Sequence, residues 1–309
     1  MYDCIIVGGG PAGLSAALIL GRCMRKVLVC DHGHPRNAAA REMHGFISQD
    51  GADPAVFRKI AREQLQKYPS VELRHIEVTD ARVLQNAQRC GTAFEVTLDG
   101  GRTETSRKLL IASGKRDILP PVSGIEELYG TSIHHCPYCD GYEHRGQKLA
   151  VYSTGAGGPT LARKLTAWTR DIVLLTDGPA PFFEDDKLNL ERLGIPVREE
   201  RITRLVGKDG SLQTIEFDDG TELQREALFF STGQYQQSNL PALLGCDFTD
   251  TDCVPVGRHQ VTTTPGLYVA GDASVDVQLV IVAAAEGTKA AIDINEALLE
   301  EDLAAELKK

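Results

Sequence analysis

The first thirteen residues restrict the fold more than any other part of the chain. The apolar run Cys4 to Val7 breaks into Gly8-Gly9-Gly10-Pro11-Ala12-Gly13 and resumes as an apolar helical pattern through Leu20. The order is strand, G-x-G-x-x-G, helix. Gly8 makes the tight turn, Gly10 lets backbone approach a pyrophosphate, and Gly13 lets helix and strand pack closely. The helix N-terminus adds amides and a positive dipole end for the phosphates. Lys26 to Cys30 then reads as a second parallel strand, and Asp31 ends it at the spacing expected of an acid that accepts ribose hydroxyls. The unit predicted is an α/β dinucleotide-binding module.

A chain of 309 residues has room for a second domain. Hydrophobic content of 42% with 25% charged residues is that of a globular enzyme, and a formal net charge of −10 disfavours nucleic acid or an anionic membrane as partner. No apolar stretch is long enough to span a bilayer and no basic leader precedes the first strand, so the expected location is the cytoplasm.

Near the far end, Thr264 to Asp272 forms a short strand ending in Gly271-Asp272, followed by Gln278 and a helical stretch from Leu279 to Leu299. An acid at the tip of such a strand can bond the ribityl hydroxyls of a flavin. A helix N-terminus aimed at the pyrimidine end of the ring stabilises the anion formed on reduction. The expected cofactor is a flavin.

Eight cysteines are too sparse and irregular for a secreted disulfide framework, and only Cys136-Pro137-Tyr138-Cys139 has redox spacing. Cys4 and Cys30 lie in apolar strands and read as structural. Cys23, Cys90, Cys246 and Cys253 carry no motif, although Cys246 and Cys253 could meet if their loop folds back. Zinc is a competing reading, with the pair and the nearby histidines as four ligands. No second Cys-x-x-Cys exists and the histidines crowd the cysteines, so no metal is assigned.

The order of these pieces resembles the low-molecular-weight thioredoxin reductase family over essentially the whole chain. Gly8 to Gly13, Ala112-Ser113-Gly114, Cys136 to Gly141, Ser231-Thr232-Gly233 and Tyr268 to Asp272 carry the likeness. The resemblance implies two Rossmann-like domains of the FAD/NAD(P)-binding type, the second inserted in the first, and a homodimer. Residues 1–114 and 240–309 would form a discontinuous FAD domain. Residues 115–239 would form an NAD(P)-like domain carrying the cysteines, with linkers near Gly114 to Leu119 and Gly233 to Leu240. By the same resemblance Cys139 exchanges electrons with the flavin, Cys136 reacts with the external disulfide, and Asp140 is the general acid for the departing thiolate. The cofactor residues implied are Gly8, Gly10, Gly13, Asp31, Asn37, His44, Gly114, Gly271, Asp272 and Gln278. His134, His135 and His144 are near enough to the cysteines to assist, with plain loop residues as the bland reading of the first two.

The middle segment departs from the family pattern. Lys148 to Tyr152 is a good strand, but the turn after it reads Ser153-Thr154-Gly155-Ala156-Gly157-Gly158-Pro159 and fits neither glycine register cleanly. After a helix containing Trp168, the strand Asp171 to Leu175 ends in Thr176-Asp177-Gly178, where NADPH-using members carry a His-Arg-Arg cluster. Asp177 would repel a 2′-phosphate by roughly several tenths to a few kcal/mol. NADPH is therefore disfavoured and NADH is left open, with absence of any nicotinamide site favoured. The Cys-Pro-x-Cys form and Asp140 to Glu143 look like the family's atypical branches, ferredoxin-linked and early-branching reductases and the gliotoxin- or holomycin-type dithiol oxidases. Three activities follow: reduction of a thioredoxin-like protein or small disulfide, with ferredoxin among the donors; oxidation of a small dithiol by oxygen; or a non-turnover flavin sensor. The acidic tail from Glu296 to Lys309 reads as a solvated helix end.

Overall fold

The computed structural model describes residues 1–87, 91–180 and 182–307, so that Cys90 and the last two residues of the tail lie outside the described residues. The chain divides into two compact units, one of Met1–Ala38, Pro54–Arg116 and Tyr235–Lys309, the other of Ala39–Asp53 and Asp117–Gln234.

The N-terminal part of the first unit runs β1 (Tyr2–Val7), α1 (Pro11–Arg22), β2 (Val27–Cys30), α2 (Pro54–Leu65), β3 (Val71–Arg74), β4 (Val78–Ala87), β5 (Gly91–Leu98) and β6 (Thr103–Ile111). It leaves through β7 (Lys115–Asp117). The second unit continues with α3 (Ile125–Leu128), β8 (Ile133–His134), α4 (Pro137–Asp140), β9 (Leu149–Tyr152), α5 (Gly157–Leu165), β10 (Ile172–Leu175), α6 (Glu184–Arg192) and β11 (Val197–Arg198). An antiparallel sheet, β12 (Ile202–Lys208), β13 (Ser211–Phe217) and β14 (Glu222–Gln224), precedes β15 (Ala227–Phe230) and the returning strand β16 (Gln234–Gln236). The first unit is completed by α7 (Leu240–Leu243), β17 (Leu267–Val269) and α8 (Val280–Glu306).

The two units repeat one plan. In the first the parallel order is β3-β2-β1-β6, with β17 beside the end of β6; in the second it is β11-β10-β9-β15-β8. Equivalent strand ends carry equivalent bonds: Gly8 N donates to Cys30 O at 2.8 Å, and Ser153 N donates to Leu175 O at 3.0 Å. Both faces of each sheet are covered, which is why these strands read as unbroken apolar runs. Cys4, Ile6, Val27 and Val29 face the cluster under α1 and α8, while Ile5, Val7, Leu28 and Cys30 face the other side. In the second unit Ala150 and Tyr152 alternate with Leu149 and Val151 in the same way.

Several local expectations change. Trp168 follows α5 in a turn rather than lying within the helix. Helix α8 extends seven residues beyond Leu299, to Glu306. The acidic end is exposed over residues 303–307, as a solvated helix end is, but two of its acids are clamped: Arg107 pairs with Glu301 at 2.8 Å and with Asp302 at 2.7 Å, and Lys108 reaches Glu301 at 2.5 Å. Both cations are buried, so the carboxylates supply charges that burial requires.

Candidate active site

In the β1–α1 turn the glycines differ in what surrounds them. Gly8 has φ +112°, and a Cβ there would land on the carbonyl of Ala112. A Cβ on Gly13 would land on the carbonyl oxygen of Gly8. A Cβ on Gly10 would meet nothing within 4 Å, so this face of the turn is open next to the first amides of α1. An open face at a helix N-terminus suits a diphosphate. Ser113 Oγ, in the turn after β6, is buried without a protein partner.

The acids at the strand ends are held by arginines. Asp31 pairs with Arg62 and accepts Gly33 N at 3.1 Å. Asn37 accepts from Arg58 at 2.8 Å. Arg36 Nη1 donates to Asp272 Oδ2 at 2.8 Å and to Gln278 Oε1 at 2.7 Å, joining two residues that the sequence places 236 and 242 positions away. Beneath them Glu286 of α8, 2% exposed, accepts Gly271 N at 2.6 Å and lies 2.9 Å from Ser274 Oγ. Burial pushes its carboxyl above the ordinary range. Sequence reading missed Glu286, because a single acid in an alanine-rich helix carries no pattern. Gly114 accepts from Gln237 N at 3.0 Å.

In the second unit Cys136 and Cys139 form a disulfide. Pro137 starts the single turn α4, and Cys136 Sγ accepts Cys139 N at 3.1 Å. Gly141 follows because a side chain there would press on the Trp168 ring, to 2.9 Å. Tyr138, 66% exposed between the cysteines, stands edge-on to Trp168 with centroids 6.1 Å apart. His134 and His135 lie at the end of β8 and project to opposite faces of the sheet. His134 packs on Phe229 and His135 on Phe230, at centroid distances of 5.4 and 6.3 Å. His135 Nδ1 lies 3.5 Å from Asp117, which also accepts from Tyr129 OH at 2.8 Å. His134 Nδ1 lies 3.2 Å from Asp140 Oδ1. His44 belongs to this unit and sits among Glu42, Asp50 and Glu143 at 3.5 to 3.7 Å.

The remaining described cysteines are free, so the Cys246–Cys253 pair that the loop allowed is not formed. Burial raises the Cys30 thiol to about 12 and that of Cys246 to about 11, which makes both poor nucleophiles. Among the described residues no group of three or more His, Cys, Asp and Glu is placed to hold a metal ion.

The turn after β9 bonds one of its own amides, although a Cβ on Gly155 would meet nothing within 4 Å. Ser153 Oγ donates to Ser231 O at 3.0 Å and lies 3.3 Å from Gly155 N, an amide of the would-be phosphate cradle. Ser153 lacks the positive φ of Gly8 at the matching position. Asp177 Oδ1 accepts Ile202 N at 2.7 Å, and Oδ2 accepts Tyr152 OH at 3.2 Å.

A fold of two repeated dinucleotide-binding units with a Cys-x-x-Cys disulfide in the second defines a flavin-linked disulfide oxidoreductase. Residues 2–287 match the family described as pyridine nucleotide-disulphide oxidoreductase, and the chain belongs to that family. Thioredoxin reductase tcpT of Claviceps purpurea is 32% identical, over 88% of this chain and 86% of that one. Among solved structures, HlmI superposes with a TM-score of 0.93 at 32% identity, covering 99% of this chain and 95% of the other. An oxidoreductase from Agrobacterium tumefaciens superposes with a TM-score of 0.87 at 31% identity, covering 96% and 98%. Within the family the chain is a thioredoxin reductase-like, FAD-dependent disulfide oxidoreductase.

Proposed function

We propose that this protein exchanges electrons between FAD and an external disulfide or dithiol through Cys136 and Cys139 without a nicotinamide. The observation that carries this reading is the turn after β9. A phosphate cradle needs inward-pointing amides that are free to donate, whereas here the Gly155 amide donates to Ser153 Oγ at 3.3 Å. Strand β10 is followed by the carboxylate of Asp177, a charge that repels a 2′-phosphate. No arginine pair follows it in sequence to neutralise a 2′-phosphate.

FAD when bound supplies the two-electron couple. The residues of the first unit hold it: Gly8, Gly10, Gly13 and the α1 N-terminus take the diphosphate, and Asp31 takes the adenosine ribose. Gly114, Gly271, Asp272, Gln278 and Asn37 line the flavin side, while His44, which the sequence assigns to the cofactor, lies in the second unit. The division into a FAD domain, 1–114 with 240–309, and a dithiol domain, 115–239, follows from that assignment. The dithiol does the thiol chemistry: Cys136 meets the partner's sulfur, and Asp140 gives or takes the proton at the departing or arriving thiol. The partner is a thioredoxin-like protein or a small dithiol, ferredoxin is one candidate donor, and the protein works in the cytoplasm as a homodimer. Among the described residues no helix is long and apolar enough to cross a membrane.

A second reading rests on the same turn. With no nicotinamide entering, a small dithiol is an electron source that the exposed Tyr138 beside the disulfide can receive, and oxygen is the acceptor. Anaerobic bleaching of the holoprotein with NADPH, NADH or reduced thioredoxin tests both. Bleaching by dithiol alone is expected. Rapid bleaching by either nicotinamide refutes the proposal.

A further inference from the structure

Asp140 is not an isolated carboxylate. Its Oδ1 lies 3.2 Å from His134 Nδ1, His134 Nε2 lies 2.9 Å from His144 Nε2, and His144 Nδ1 lies 2.7 Å from Gln147 Oε1. The four side chains come from the α4 turn, from β8 and from the segment after Gly141. His134 is 6% exposed, whereas His144 and Gln147 are half-buried. Phe229 packs on both rings, its centroid 5.4 Å from that of His134 and 6.1 Å from that of His144. The row therefore starts beside the disulfide, crosses an apolar layer and ends near solvent. The charged groups facing it are Asp140 and, at the outer ring, Glu143.

We propose that Asp140, His134, His144 and Gln147 form a proton relay that loads and unloads the carboxyl next to Cys139, with the two histidines as positioning residues. Two phases of the row differ by one proton. In the first, Gln147 Oε1 accepts from His144 Nδ1–H, His144 Nε2 accepts from His134 Nε2–H, and His134 Nδ1 accepts from the Asp140 carboxyl. Shifting each hydrogen one bond outward releases a proton from His144 Nδ1 to water, with Gln147 turning its amide to donate Nε2–H to that nitrogen, and leaves Asp140 as a carboxylate that accepts from His134 Nδ1–H. Burial lowers the basicity of His144, which keeps that ring singly protonated, as either phase requires.

This inference rests on the proposed thiol chemistry, and the balance there is as follows. A thiolate of an external dithiol bonds Cys136 Sγ, the Cys136–Cys139 bond breaks, and its electron pair leaves on Cys139. The second substrate thiol gives its proton to Asp140, bonds the first substrate sulfur and displaces Cys136 as a thiolate. The substrate is oxidised to a disulfide and the pair is reduced. The proton taken by Asp140 leaves along the row; in the reverse reaction it enters along it.

The test uses holoprotein with dithiothreitol as probe, following anaerobic flavin bleaching against pH in water and in deuterium oxide. His134→Gln and His144→Asn retain hydrogen bonding but cannot pass a proton through two ring nitrogens. Each is expected to slow bleaching about tenfold, less than the roughly 10²–10⁴-fold of a general acid because water substitutes, with an altered pH profile and solvent isotope effect. Added imidazole is expected to restore His144→Ala. Unchanged profiles, or slowing that imidazole and pH leave untouched, overturn the relay. A second measurement needs no turnover: titrating the thiolates by ultraviolet absorbance after phosphine reduction of the pair. His134→Gln is expected to move their apparent pKa, and an unmoved titration overturns the proposal. Should dithiothreitol fail to bleach the wild type, the proposed function fails while this titration still decides the relay.

Discussion

Adding one methyl group at either of two glycines in the same turn should have opposite consequences. At Gly10 the backbone has φ −80° and ψ −175°, which any residue adopts, and the new Cβ meets nothing within 4 Å. Gly10→Ala should therefore leave the FAD-free protein as stable as before, or more stable by about 0.4–1 kcal/mol through the unfolded chain. Its methyl group occupies the open face over the α1 amides. Losing one charge-assisted bond to a phosphate, worth about 1.5–3 kcal/mol, weakens FAD binding about 10- to 150-fold. At Gly13 the Cβ collides with the carbonyl oxygen of Gly8, so helix and strand must separate. Overpacking of this kind costs about 1–3 kcal/mol whether or not FAD is present. The assay is denaturant unfolding with and without excess FAD, together with a flavin-binding titration. Gly10→Ala should change the titration alone, and Gly13→Ala both curves. If Gly10→Ala binds FAD as tightly as wild type, or destabilises the FAD-free protein as much as Gly13→Ala does, the open face is not the phosphate site.

Cys136→Ser and Cys139→Ser should each abolish disulfide exchange while retaining bound flavin, since both sulfurs lie in the second unit and the cradle in the first; exchange at wild-type rate would remove them from the mechanism. Glu286 has a folded pKa above its ordinary value, so between the two values the folded protein holds a proton that the unfolded chain releases. Stability therefore falls as pH rises through that window. Glu286→Gln should flatten this fall, seen as a smaller pH dependence of the thermal midpoint above about pH 4.5; an unchanged slope would show that the burial of Glu286 has no such effect. Glu301→Ala leaves Arg107 and Lys108 short of a carboxylate and should cost about 2 kcal/mol, less than the roughly 3–5 of a fully buried pair. Chemical denaturation reads this, and a neutral result would mean that Asp302 and water suffice.

The sequence determined the parts whose physics is local. Gly8 to Gly13 announced the first cradle because a tight turn, a close approach and a helix start each demand a residue type at a fixed offset. The continuous apolar strands announced a sheet covered on both faces. Cys136 and Cys139 were legible from their spacing within a chain of nucleotide-binding modules, and the degraded turn at Ser153 was visible as a missing glycine. Tertiary structure decided what depends on residues far apart in the chain. Arg36 ties Asp272 to Gln278, and Glu301 and Asp302 return across the whole sequence to Arg107. Ser153 proved to take up the Gly155 amide of a turn that its sequence only impaired. Strand alternation at β8 separated two neighbouring histidines, sending His134 to Asp140 and His135 to Asp117. A hydrogen bond or ion pair is a short-range interaction that carries no record of itself in either partner's flanking residues, so only the folded chain could show which groups meet.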